Sequence, residues 1–260
     1  MQPEYLSNLI TPSTMRNQGA VKILVVNVNT TASITETIRA SAQSVAAPQT
    51  EVIGLTPTIG AESVEGNFES YLAAVAVMNA VVGYNGDFDA VIQAGYGEHG
   101  REGLQELLDV PVVDITEAAA HVACLIGHRY SVVTTLDRTL PLIEDRLLLA
   151  GLNTRCASVR SSGLSVLQLE EDQAAAVSAI VAEAEKAVQH DKAEVICLGC
   201  GGMAGLDSAV RRATGVPVVD GVTAAVKLAE SLVDLGLSTS KVRTYAPPRH
   251  KQVSGWPLGR

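Results

Sequence analysis

Residues 90–125 read AVIQAGYGEHGREGLQELLDVPVVDITEAAAHVACL, and residues 194–232 read EVICLGCGGMAGLDSAVRRATGVPVVDGVTAAVKLAESL. Each passes through the same series: a short apolar run, a glycine-rich loop, a short helical segment, Pro-Val-Val-Asp, and an Ala-rich stretch of helical period. Gly95 precedes Pro111 by 16 positions and Cys200 precedes Pro217 by 17, so the two loops hold equivalent places. A unit of this length that recurs once divides the chain into two related halves.

Outward from this repeat, apolar runs alternate with helical patterns along the whole chain. Candidate strands cover 22–27, 50–55, 90–94, 110–114, 130–134, 154–159, 194–198 and 216–220, with candidate helices at 69–82, 116–125, 138–149, 171–189 and 222–235. Strands that alternate with helices build βαβ units, which require parallel sheets and right-handed crossovers. The expected fold is therefore α/β, with two pseudo-symmetric lobes, each a mainly parallel sheet flanked by helices. Lobe 1 is expected over 21–128 and lobe 2 over 129–236, with the segment from about 217 able to pack back on lobe 1. Residues 1–20 have no apolar segment of signal-peptide type and read as a mobile tail, and 237–260 read as a C-terminal extension.

Of the 260 residues, 47% are hydrophobic and only 3% aromatic, which suits close packing of small aliphatic side chains between helix and sheet. The net charge of −9, with no cluster of Lys or Arg, argues against nucleic acid or an anionic membrane as partner. The densest apolar stretch, Leu72 to Val82, is interrupted by Asn79 and is too short to span a bilayer. A small-molecule substrate and a cytoplasmic location are expected. The four cysteines, Cys124, Cys156, Cys197 and Cys200, are then free thiols rather than a disulfide framework.

Gly95-Tyr96-Gly97-Glu98-His99-Gly100 satisfies the G-x-G-x-x-G pattern of dinucleotide cradles, and Asp114 follows as the acid such a site would use. The second copy, LGCGGMAG, does not satisfy it, and the first lies in the third strand–helix unit instead of opening the fold. Residues just past the carboxyl ends of parallel strands line the ligand crevice, so both glycine loops are expected to face one cleft. There they would expose backbone amides to a small anion or carbonyl group. Other clusters carry less. Cys197 and Cys200 form a C-x-x-C, yet three residues apart on a strand they point to opposite faces. His121, Cys124 and His128 share helical spacing, but Gly127 is expected to end that helix. No metal is assigned.

The ordered set KILVVNVNTT, VEGNF, AGYGEHG, VVDITEAAAH, VVTTLDR and LGCGGM resembles the Asp/Glu racemase superfamily, most closely its hydantoin and allantoin racemase branch, over about Lys22 to Gly236. The resemblance implies a two-lobed fold with the active site between lobes, no cofactor, a homo-oligomer, and two cysteines on opposite sides of a substrate stereocentre. Cys200 takes the second cysteine position, and Gly95 stands at the first. Tyr96, Glu98 and His99 follow Gly95 directly, and Glu98 and His99 join Cys200 as candidate catalytic groups. A single thiol opposite glycine also resembles the arylmalonate decarboxylases, which makes decarboxylation of a malonate-type substrate the second reading. A non-catalytic protein that binds a small ligand is the third.

Asn29, Gly95, Tyr96, Gly97, Thr134, Thr135, Gly201 and Gly202 are the expected substrate-positioning residues. In Asn29-Thr30-Thr31 helix capping competes with substrate contact, and it does so for Thr134-Thr135 as well. Val28 stands where relatives of this branch often have proline. Cys200, at a strand end beside two glycines and before a helix, is expected to have a lowered thiol pKa.

Overall fold

The computed structural model describes residues 20–253, so all but the last residue of the expected 1–20 tail and the last seven residues of the extension lie outside the described residues. Lobe 1 is a four-stranded parallel sheet of order β2-β1-β3-β4, built from β1 (Val21–Val26), β2 (Thr50–Leu55), β3 (Ala90–Gln93) and β4 (Val112–Asp114). Lobe 2 repeats the order as β6-β5-β7-β8, with β5 (Tyr130–Thr134), β6 (Cys156–Ser161), β7 (Val195–Leu198) and β8 (Val218–Asp220). The repeated segments thus occupy equivalent strands in two equivalent sheets.

Crossover helices connect the strands, as parallel pairing requires. The helices are α1 (Ala32–Val45), α2 (Asn67–Val82), α3 (Arg101–Leu107), α4 (Ile115–Ile126), α5 (Leu140–Leu149), α6 (Gln168–Glu171), α7 (Gln173–Gln189), α8 (Asp207–Thr214) and α9 (Gly221–Asp234), of which α4 joins the two sheets and α9 follows the last strand. Strands β1, β3, β5 and β7 are central and largely buried, which explains their mainly apolar sequences. The aspartates of the two Pro-Val-Val-Asp motifs act alike. Asp114 accepts from the Glu117 amide at 2.8 Å to cap α4, and Asp220 accepts from the Val222 amide at 2.7 Å to cap α9.

The largest cluster of buried apolar residues runs from lobe 1 into lobe 2, joining Ile23, Ile92 and Ala119 with Val132, Val195 and Cys197. Helix α9 packs on α4, α1 and β3. The described part of the extension lies against α3, with the Thr239 amide bonded to the Asp109 carbonyl and Lys241 Nζ to the Gln105 carbonyl. No helix among the described residues is long and apolar enough to cross a membrane.

Candidate active site

The loops that follow the four central strands meet in one cleft. Asn27, Val28 and Asn29 come from the end of β1, Gly95, Tyr96 and His99 from β3, Thr134 and Thr135 from β5, and Gly199 to Gly202 from β7. This is the carboxyl edge of both sheets, where parallel folds place their ligands. The lobes approach closely here: a Cβ added to Gly201 would lie 2.9 Å from the Ala94 carbonyl oxygen. The cleft holds about 40 Å³, room for a few water molecules. Among the described residues, no Lys, Arg, Asp or Glu lines it, and its titrating side chains besides Tyr96 are His99 and Cys200.

The β1 loop is set by asparagines. Asn27 Nδ2 donates to Asn29 Oδ1 at 2.8 Å and to Thr35 Oγ1 at 3.0 Å, while its Oδ1 accepts from the Val28 amide at 2.8 Å. Asn29 Oδ1 also accepts from the Thr31 amide, so its oxygen is occupied and its Nδ2 is left to donate into the cleft. Thr31 begins α1 without capping it by its side chain, and its hydroxyl donates to the Glu62 carbonyl.

Gly95 has no side chain to move a proton, and the structure shows what fills the space. A Cβ at residue 95 would overlap His99 Cδ2, and would lie 2.5 Å from Val28 Cγ1 and 2.7 Å from Gln93 Nε2. The His99 ring therefore occupies the room that a larger residue at position 95 would need. It is 3% exposed, and burial pushes its pKa down to about 4 against the raising influence of the Tyr96 carbonyl. At neutral pH the ring is uncharged, as a base must be.

Cys200 follows β7, and its Sγ accepts from the Gly202 amide at 3.4 Å. The expected lowering of its pKa is overturned. Burial pushes the thiol up to about 11, and the Gly202 and Met203 amides only partly offset this. The following turn, Gly201–Met203, is a short 3-10 segment rather than a helix, so it brings little dipole to the sulfur. Cys200 is a protonated acid at rest.

Three of the expected site residues have polar groups engaged within the protein. The Gly97 amide donates to Thr116 Oγ1 at 2.9 Å, and Gly97 does not line the cleft. Thr134 Oγ1 donates to the Gly199 carbonyl at 2.7 Å, which ties the β5 and β7 ends together and leaves Thr135 as the cleft threonine whose hydroxyl bonds no other group among the described residues. The Glu98 carboxylate points away from the cleft, with Oε1 accepting from the Gly100 amide at 2.7 Å and Oε2 from Arg146 Nη1 at 3.1 Å. Burial, then the neighbouring Glu102, raise its pKa to about 7. Tyr96 lines the cleft, but its hydroxyl is buried with no hydrogen-bond partner among the described residues.

Arg146 and Ser70 were invisible as site residues in the sequence. Arg146, on α5 of lobe 2, is 2% exposed and bonds Asp114 at 2.9 Å, Glu117 at 2.6 Å and Glu102 at 2.5 Å, all from lobe 1. Ser70, on α2, touches both Glu98 and His99. Neither stands near the glycine loop in sequence, so only the tertiary fold identifies them. Elsewhere, Cys197 is buried with Sγ toward the Ala119 carbonyl, and α4 ends at Ile126, which leaves His128 outside the helix of His121 and Cys124.

The chain as a whole is similar to known proteins. The profile of the family described as Asp/Glu/Hydantoin racemase matches residues 23–229. The hydantoin racemase of Rhizobium meliloti is 41% identical over 234 residues, 90% of this chain and 97% of that protein. The crystal structure of the allantoin racemase from Pseudomonas fluorescens is 75% identical, with a TM-score of 0.89, and the match covers 90% of this chain and all of that one. The allantoin racemase of Klebsiella pneumoniae is 42% identical with a TM-score of 0.87, over 90% of this chain and 96% of that one.

Proposed function

Because the chain belongs to the Asp/Glu/hydantoin racemase family, we propose that it interconverts the enantiomers of a 5-substituted hydantoin such as allantoin, with His99 and Cys200 as the two proton-transfer groups. The single observation that carries this reading is the cleft lining: one neutral imidazole, one neutral thiol and no fixed charge. A neutral cyclic ureide can be desolvated there at little electrostatic cost. A malonate dianion or an amino-acid zwitterion would be buried without a counter-charge, which disfavours the decarboxylase reading.

In this mechanism His99 Nε2 removes the proton from C5, and the electron pair of the C–H bond moves onto the adjacent carbonyl oxygen. The Cys200 S–H then protonates the planar carbon from the other side, giving the mirror image together with imidazolium and thiolate. The opposite enantiomer runs the same steps backward: the thiolate takes the proton and the imidazolium returns one. Asn29 Nδ2, Thr135 Oγ1 and the Gly201 amide are the donors proposed to hold the developing oxyanion. The Gly202 amide, aimed at Sγ, stabilises the thiolate. The cleft volume of about 40 Å³ is smaller than such a substrate, so binding requires its walls to give way.

Four free thiols support a cytoplasmic, reducing setting, and the exposed Leu125, Ile126, Leu148 and Leu149 at the ends of α4 and α5 support a homo-oligomer. The activity is tested by polarimetry on each enantiomer of allantoin and of 5-alkyl hydantoins. Decay of rotation from both sides to zero is expected. Tight binding of these compounds with constant rotation would instead identify a protein that only binds ligand.

A further inference from the structure

We propose that Ser70 is a positioning residue that fixes the His99 tautomer, holding the proton on Nδ1 so that Nε2 is the free base. The inference rests on the reading of His99 as a proton-transfer group, and it follows from counting protons at one oxygen. Ser70 Oγ lies 2.6 Å from the Glu98 carbonyl oxygen and 3.0 Å from His99 Nδ1. A carbonyl only accepts, and no other donor reaches the Glu98 carbonyl among the described residues. The one hydroxyl proton of Ser70 is therefore given to Glu98, and Oγ meets Nδ1 with a lone pair. Nδ1 must then carry the hydrogen of the neutral ring, because an unprotonated Nδ1 would leave two lone pairs facing each other inside the protein.

The rest of the setting supports this. Ser70 is 3% exposed and sits in the first turn of α2, where its amide donates to the Gly66 carbonyl, so its hydroxyl has little freedom to turn. The Tyr96 carbonyl is the competing acceptor for a ring N–H. Only the Ser70 contact is a hydrogen bond by geometry. Ser70 thus plays for His99 the part that a fixed acceptor plays for any catalytic imidazole: it decides which nitrogen is basic.

The test is the 15N spectrum of histidine-labelled protein near neutral pH, with the His99 signals assigned by their loss in His99→Asn. In the wild type, Nδ1 is expected at the protonated, pyrrole-type shift and Nε2 at the pyridine-type shift. In Ser70→Ala the two signals are expected to move toward each other as both tautomers are populated. kcat should fall by about threefold to tenfold, the worth of one net hydrogen bond, with KM little changed. A wild-type spectrum with the proton on Nε2, or a Ser70→Ala protein with the wild-type spectrum and kcat, would overturn the proposal. If Ser70→Ala fails to fold, the wild-type spectrum alone still decides the proton's position. If His99→Asn retains full activity, the catalytic reading of His99 fails, while the spectrum reports on Ser70 independently.

Discussion

The His99 ring stands in the space that a side chain at Gly95 would require, with its Cδ2 against the position of the missing Cβ. The histidine ring can stand there only because residue 95 has no side chain. Gly95→Cys is accordingly expected to displace His99 rather than add a working thiol opposite Cys200. Displacement of a catalytic group by about 1 Å costs on the order of a hundredfold in rate. Racemisation by Gly95→Cys at or above the wild-type rate, measured by polarimetry, would show that the cleft has room for both side chains.

Cys200 is held protonated by burial, with its pKa pushed up to about 11, so it is expected to resist alkylation at neutral pH. Its reaction with iodoacetamide should accelerate as pH rises toward that value, and a bound hydantoin should protect it. Peptide mapping after timed labelling separates it from Cys124, Cys156 and Cys197. Preferential labelling of Cys200 at about pH 7 would mean that the sulfur is a thiolate at rest and would reverse the assignment of acid and base.

His99 makes stability depend on pH in a definite direction. Its folded pKa of about 4 lies below the ordinary 6.5, so between these values the unfolded chain binds a proton that the folded chain refuses. Stability therefore falls as pH drops through this window, by about 3 kcal/mol in all, and levels off below it. Urea unfolding at about pH 7 and about pH 4 should show a loss smaller by that amount in His99→Asn. An equal loss in both proteins would mean that the ring charges freely in the folded state.

Arg146 bridges the lobes through four carboxylates of lobe 1, of which the Asp114 side chain is fully buried. Arg146→Met would leave those charges facing one another with Arg101 as the remaining cation, and is expected to cost about 3 to 5 kcal/mol of stability. Thermal unfolding checks this. A melting temperature within a degree or two of wild type would show that the cluster is solvated and contributes little.

The fold was legible because the repeat from Ala90 and Glu194 states it twice, and because buried central strands such as Val195–Leu198 are apolar on both faces. Element ends were less so. The sixth strand begins at Cys156 instead of 154, since Asn153–Arg155 close a 3-10 turn, and α5 begins at Leu140 instead of 138 for the same reason at Asp137–Thr139. Helix α1 had no entry among the helical patterns because residues 32–45 are largely polar or small and bury only Ile34, Thr35, Ile38 and Ala42.

The site was legible where one loop contains it, as at Cys200 and at His99. It was hidden where long-range hydrogen bonds decide which way a group points. The Gly97 amide is engaged by Thr116 Oγ1 and the Thr134 hydroxyl by the Gly199 carbonyl, although Thr134 still lines the cleft. Glu98 and His99 are adjacent in sequence, yet Arg146 draws one out of the cleft while Ser70 holds the other in it. The thiol pKa of Cys200 is not legible in the sequence, because burial, which sequence does not display, outweighs the two amides beside it.

The division of proton transfer between His99 and Cys200 is tested most directly by following single enantiomers of allantoin or a 5-alkyl hydantoin in D2O. Deuteration at C5 is read by NMR and optical rotation by polarimetry, for wild type, His99→Asn and Cys200→Ala. The wild type is expected to racemise each enantiomer with deuterium entering the inverted product. Each variant should lose racemisation by about 10²- to 10⁴-fold, the usual worth of a positioned acid or base, while its circular dichroism spectrum stays that of the folded protein. A folded His99→Asn protein that racemises at the wild-type rate would contradict the assignment of the second proton-transfer group to His99.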